Sequence, residues 1–272
     1  MKQNNLLFRL VVLVTAVMCA LGAIAQEAYA CYTPSYKRLT FYYDNSRSSR
    51  SGITYDLNTG SEAPGWETDG YSTSVTLVVF NPSFADARPT TTYDWFCDMQ
   101  NLEFIVGLRY LNTSEVTNMG WMFADCRIIK SLDLSGFNTS KVTNMRGMLT
   151  GCFDLTSFDL SSFDTSKVTD MSCMFSYCYL LQTVYVGSGW TTAAVTNSLE
   201  MFMECVSLVG GRGSTYDSNH TDVAYARIDG GADSPGYFVA KSAFLRGDVD
   251  GDNDVTIDDV SALIDYLLSG SW

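Results

Sequence analysis

One phrase occurs four times in this chain, and its spacing limits what the chain can fold into more than any other feature does. The copies begin at Val116, Val142, Val168 and Val195, a register of 26, 26 and 27 residues. Val116-Thr117-Asn118-Met119 runs through Met122-Phe123 to Cys126, and Val142-Thr143-Asn144-Met145 through Met148-Leu149 to Cys152. Val168-Thr169-Asp170-Met171 runs to Met174-Phe175 and Cys178, and Val195-Thr196-Asn197 to Met201-Phe202 and Cys205. Units this small cannot bury their own apolar faces, so a fixed period of this length means a solenoid whose units stack on one another. Such a stack presents surface and has no inherent reaction cleft. The chain reads as a binding or scaffold protein, not an enzyme.

Two periodicities alternate inside each unit. Met145, Met148, Leu149 and Cys152 stand at i, i+3, i+4 and i+7, as do Met171, Met174, Phe175 and Cys178. That spacing predicts a helix of about two turns with one apolar face. Leu132 and Leu134, Phe158 and Leu160, and Val184 and Val186 follow at strand spacing, which sets Asp133, Asp159 and Tyr185 on the opposite face. The expected fold is an α/β repeat solenoid, leucine-rich-repeat-like, with one short strand and one short helix per unit across residues 95–209. Residues 26–94 carry strand runs at Arg38–Tyr43 and Ser74–Phe80 and read as a β-rich N-terminal cap. Residues 210–240, from Gly210-Gly211 to Pro235-Gly236-Tyr237-Phe238, read as the C-terminal cap. The recurring cysteines read as small buried hydrophobes. On helices packed about 8–10 Å apart they would lie beyond the roughly 7 Å that a disulfide spans.

The N-terminus reads as a signal peptide, residues 1–25. Lys2 and Arg9 precede an apolar run from Leu10 to Ala25 that ends in small residues, which predicts cleavage before Gln26 and no transmembrane span. A second small-residue site, Ala28-Tyr29-Ala30, precedes Cys31 and would leave a cysteine open to lipidation. The mature chain is expected to be secreted or held at the cell surface. Formal charge is −13, and loss of Lys2 and Arg9 takes it to −15, which disfavours nucleic acid and anionic membrane as partners. His220 is the single histidine, which leaves little material for a zinc site or a nucleophilic triad. Asp133 and Asp159 recur one unit apart, so they read as strand-face decoration and candidate ligand contacts, with Tyr185, and not as a glycosidase pair.

Residues 241–272 hold the one constellation with metal chemistry, an EF-hand-like loop and helix. Asp248, Asp250 and Asp252 alternate at loop positions one, three and five, where hard oxygens can wrap one Ca2+ ion. Asp254 would add its carbonyl, Thr256 a water-mediated contact, and Asp259 closes the loop at position twelve. Val260, Leu263, Ile264 and Leu267 then line one face of a helix.

The Leu-Asp-Leu-Ser strand, the Asn-Thr-Ser-Lys-Val-Thr turn and the Met-Phe-x-x-Cys segment resemble those of the BspA-like leucine-rich repeat surface proteins. The resemblance covers residues 38–239, including Thr54–Gly60 in the first cap. It implies a leucine-rich-repeat-type solenoid and adhesion through a protein or glycan ligand on host or neighbouring cells. The tail resembles a single type I dockerin repeat, with Asn253 where that loop usually has glycine, and one loop where a dockerin has two. That likeness implies a cohesin-like partner, or a second copy of the chain. Two function classes follow: an exported adhesion or binding protein, or a non-catalytic component of a polysaccharide-degrading assembly recruited through the tail.

Overall fold

The structure, a computed structural model, describes residues 25–241. The expected signal peptide, up to residue 24, and the expected calcium loop and helix lie outside the described residues. The described residues form eight strands: β1 (Glu27–Thr33), β2 (Arg38–Asp44), β3 (Ile53–Asp56), β4 (Leu77–Phe80), β5 (Phe104–Val106), β6 (Ser157–Leu160), β7 (Thr183–Val186) and β8 (Phe238–Ala240). They form a five-stranded sheet ordered β3-β1-β2-β4-β5 and a parallel three-stranded sheet ordered β6-β7-β8.

The first sheet follows from alternation. Leu39, Phe41, Val78 and Phe80 point inward and are buried, and Phe41 stacks on Phe80 (4.6 Å between centroids) and on Trp95 (5.0 Å). Trp66, Phe84 and Phe96 meet it edge-on, an arrangement that adds to the apolar burial of each ring. Both indole donors are satisfied: Trp66 Nε1 donates to the Trp95 carbonyl at 2.9 Å and Trp95 Nε1 to Asn58 Oδ1 at 2.7 Å. Trp95 and β5 belong to the first repeat, so cap and repeats share one sheet and one core across residue 94. The turn at Arg47–Ser49 closes the outer side of β1 and β2. Arg50 pairs with Asp44 at 2.5 Å and lies 3.7 Å over the Tyr42 ring, while Arg47 pairs with Glu27 and Asp56.

This packing favours the first of the two expected cleavage sites. A chain beginning at Cys31 would lose Glu27–Ala30, which pair with residues 41–44 of β2 and include the fully buried Tyr29 and Ala30. Cys31 itself is 4% exposed in the middle of a strand bonded on both sides. Sequencing of the mature N-terminus should therefore read Gln26-Glu27-Ala28; a start at Cys31 would contradict the sheet.

The helix expected in each unit is not formed. Positive φ recurs every fourth residue, at Trp121 (56°) and Asp125 (55°), Gly147 (58°) and Gly151 (66°), Cys173 (56°) and Tyr177 (61°), Glu200 (58°) and Glu204 (60°). A right-handed helix cannot carry that conformation. The N–H groups point along the stack instead. Met119, Trp121, Phe123 and Asp125 donate to the carbonyls of Asn144, Arg146, Met148 and Thr150 in the next coil at 2.8–2.9 Å. Met145, Gly147, Leu149 and Gly151 repeat this toward Asp170, Ser172, Met174 and Ser176. Tight turns such as Met119–Met122 and Phe123–Cys126 link the donors. Successive turns share the helix's i, i+3, i+4, i+7 inward spacing, so the expected buried face is correct although the element is not. Met145, Met148, Leu149 and Cys152 are all fully buried. Holding a non-glycine residue at positive φ costs roughly 1–2 kcal/mol, and the inter-coil bonds on each side offset it. Glycine is required at 147, where any side chain would enter the Trp121 ring of the preceding coil.

The rest of the repeat phrase serves the same stack. Asn118, Asn144 and Asp170 accept the N–H two residues on, at 2.9 Å in each case, which turns the chain into the coil. Thr139 Oγ1 donates to the Asp164 carbonyl at 2.9 Å and accepts the Asp164 N–H at 2.8 Å, and Thr113 serves Asn138 in the same way. Coils bonded in this way sit at strand spacing, so the helix-spacing argument about the cysteines does not apply. Each thiol instead donates to a carbonyl of the preceding coil: Cys126 to Phe96 (3.3 Å), Cys152 to Phe123 (3.4 Å), Cys178 to Leu149 (3.1 Å) and Cys205 to Phe175 (2.9 Å). Burial pushes all four thiols well up.

At the far end Phe202 and Trp190 pack edge-on against Phe238, and the N–H of Phe202 finds the Thr221 carbonyl at 2.9 Å in place of a further coil. Gly210 and Gly236 touch backbone to backbone, which leaves no room for a Cβ on Gly210.

Candidate ligand-binding face

The inward residues of the strands fix what faces outward. In the second sheet Phe158, Leu160, Val184 and Val186 are buried, and Asp159 and Tyr185 are direct cross-strand partners on the outer face. Val239 of β8 continues that row beyond Tyr185. Asp133 occupies the same repeat position one coil earlier, and Val106 one coil before that. The structure thus brings Asp133, Asp159 and Tyr185 onto one surface.

It also shows what the two carboxylates do within the fold. Asp133 Oδ1 accepts the Ser135 N–H at 3.1 Å and hydroxyl at 2.6 Å, and Asp159 receives the same pair from Ser161. The Asp-Leu-Ser phrase is therefore a carboxylate-held turn at both copies, following a paired strand at Asp159 and unpaired chain at Asp133. The Ser135 hydroxyl and N–H keep the Asp133 carboxyl below its ordinary range. Partial burial alone would raise Asp159, but bonds from Lys241 and Ser161 outweigh it and hold its carboxyl low as well. Lys241, the last described residue, reaches Asp159 with its Nζ and the Val186 carbonyl with its N–H at 2.9 Å. Both aspartates stay ionised at neutral pH, and Tyr185 is 36% exposed beside them.

The face is not one continuous sheet. Residues 131–134 make no strand ladder, although they occupy the expected strand position between β5 and β6. A cleft of about 210 Å³ opens there, lined by Ile105, Arg109, Leu132 and Asp133 among others. On the β5 side of the break the outer face becomes apolar, with Phe104 63% and Val106 53% exposed.

A second concavity, of about 570 Å³, lies in the C-terminal cap between Thr215, Asp217, Ser218, Tyr225 and Pro235. His220 sits beside it: Nδ1 is 2.9 Å from Asp217 Oδ2 and the ring packs 4.3 Å from that of Tyr225. The sequence reading missed this cleft. Its only trace in the sequence is the run of Tyr216, Tyr225 and Tyr237 in a segment without repeats. Among the described residues, no group of three or more His, Cys, Asp or Glu side chains is placed to hold a metal ion. The expected calcium ligands Asp248, Asp250, Asp252, Asp254, Thr256 and Asp259 lie outside those residues. No described helix is long and apolar enough to cross a membrane.

Residues 90–216 match the family described as "Mycoplasma protein of unknown function, DUF285". The match spans the repeats, just under half of the chain. No curated protein shows significant similarity to the chain. Among solved structures, a leucine rich cell surface protein from Faecalibacterium prausnitzii is similar at 15% identity with a TM-score of 0.37, over 68% of this chain and 52% of that one. The chain thus spans about half the length of that protein, and an overlap this low carries no argument about fold or function.

Proposed function

We propose that the chain is an exported surface or secreted binding protein that uses the outer face of its coils to hold a protein or glycan ligand. The row Asp133, Asp159 and Tyr185 carries this reading. Asp159 and Tyr185 project from paired strands and Asp133 from the same repeat position one coil earlier, and together they offer two negative charges and one aromatic ring. Tyrosine on a rigid scaffold gives contact area at small entropic cost, and fixed carboxylates suit hydroxyl or cationic groups. The resemblance of the repeats to BspA-like surface proteins supports adhesion as the biological setting.

The test is binding of the mature chain to immobilised polysaccharides and extracellular glycoproteins, followed by the same assay on Asp159→Ala with Tyr185→Ala. On a ligand that the wild type retains, the double variant should bind at least about tenfold more weakly, equivalent to roughly 1.4 kcal/mol, with an unchanged circular dichroism spectrum. Equal affinity would move the site off this face. The calcium loop at Asp248–Asp259 belongs to the same proposal as an attachment device, for a cohesin-like module or a second copy of the chain.

A further inference from the structure

The outer face of the first sheet carries an apolar patch that nothing among the described residues covers. Strand pairing lines up Arg38, Leu77 and Phe104 in one row and Thr40, Val79 and Val106 in the next. Val78 and Phe80 point into the core, so Leu77 and Val79 face out beside the exposed Phe104 and Val106. Tyr36, 69% exposed, borders the patch with its ring 5.5 Å from the Arg38 guanidinium. Lys37, Arg38 and Arg109 border it, with Glu103 and Asp133 on the β5 side, and Arg38 Nε is buried with no hydrogen-bond partner among the described residues.

The same chain holds a segment with matching properties. Val260, Leu263, Ile264 and Leu267 fall on one face at helical spacing, and residues 242–272 contain seven aspartates against one arginine. The last described residue is already on the outer face, where Lys241 is tied to Asp159 and Val186. From β8 to β5 is four strand steps, about 19 Å at strand spacing. Residues 242–247 alone can extend roughly 20 Å, and eighteen residues separate Lys241 from Val260.

We propose that the apolar outer face of β4 and β5 is the dock for this chain's own C-terminal segment, with Val260, Leu263, Ile264 and Leu267 laid over Leu77, Val79, Phe104 and Val106. The tether favours this occupant over a second copy, because a short linker holds the segment at a millimolar effective concentration. Charge adds to it on the β2 side, where the acidic segment meets Lys37 and Arg38 and gives the buried Arg38 Nε a partner. If the segment forms the expected loop and helix, its apolar side would otherwise face water, and docking here removes that exposure.

Hydroxyl-radical footprinting of the mature full-length chain, in millimolar calcium and at low protein concentration, tests this directly. Phe104 and Tyr36 should be modified several-fold less in the wild type than in Leu263→Asp with Leu267→Asp, while Tyr185 and Tyr179 react equally in both. In Phe104→Ser with Val106→Ser, the reactivity of Leu267 should rise. Equal modification of Phe104 in wild type and tail variant would overturn the proposal. So would protection that persists in the tail variant and grows with protein concentration, since a second copy would then be the occupant. Calorimetric titration with calcium chloride reads the loop separately: calcium binding without Phe104 protection sinks the docking alone, and protection without calcium binding sinks the calcium reading alone.

Discussion

Met174→Asp is expected to abolish the native state at ordinary temperature. Met174 is fully buried in the same core as Phe175 and Cys178, and its carbonyl accepts the Leu149 N–H at 3.0 Å. Removing the methionine from that core costs about 2–5 kcal/mol in lost burial and cavity. The new carboxylate adds several kcal/mol more, because no described cation lies within the coil interior to pair with it. A total beyond about 5 kcal/mol consumes most of the stability that a domain of this size possesses. In a stack of coupled coils the damage spreads, since each coil is held by its neighbours. Thermal unfolding should show either no cooperative transition or a melting temperature at least about 10 °C below wild type. Met174→Leu, which keeps the volume, should cost less than about 1.5 kcal/mol. An unaltered transition in Met174→Asp would mean that the methionine stripe is not the core.

The methionine stripe was legible because burial follows the spacing of side chains, whatever backbone delivers it. The backbone itself was harder to read. An i, i+3, i+4, i+7 pattern belongs equally to a helix and to successive tight turns, and non-glycine residues at most of the positive-φ positions hid the difference. Only Gly147 and Gly151, four apart inside the supposed helix, marked it. Two glycines in two turns would each cost a helix about 1 kcal/mol, yet they suit left-handed backbone that Trp121 and Asp125 adopt in the neighbouring coil. The outer row of Asp133, Asp159 and Tyr185 was legible from strand alternation, whereas the break at residues 131–134 was not, because Leu132 and Leu134 alternate as well as the residues that do pair. The cap cleft beside His220 is assembled by residues from 214 to 235 without periodicity, and long-range turns of that kind leave no pattern in a single sequence.

Asp229→Ala should loosen the C-terminal cap and show how the stack is sealed. Asp229 is almost fully buried and serves as an anchor for backbone. Its Oδ2 accepts the N–H groups of Arg212 (2.8 Å) and Ser214 (3.0 Å), and its Oδ1 accepts the Ser214 hydroxyl (2.7 Å) and the Gly231 N–H (2.9 Å). Alanine leaves three backbone donors without their acceptor, at about 1–3 kcal/mol for each that water cannot reach, so a loss of roughly 3–5 kcal/mol is expected. Burial by itself would raise the carboxyl's pKa, but the bonds from Ser214, Gly231 and Arg212 outweigh it and hold the group well below the usual carboxylate range. A depressed folded pKa stabilises above the unfolded value and is lost as the pH falls through the folded one. Asp229 therefore contributes fully above about pH 4, and its contribution declines below that. Asp229→Asn keeps one acceptor oxygen and cannot titrate, so it should be less stable than wild type at neutral pH, with the gap narrowing from about pH 4 downward. Melting curves of wild type and Asp229→Asn across that range measure the gap. A gap that stays constant with pH would show that the carboxylate's charge does not hold the cap, and that the turn at Gly210–Ser214 is fixed by backbone packing alone.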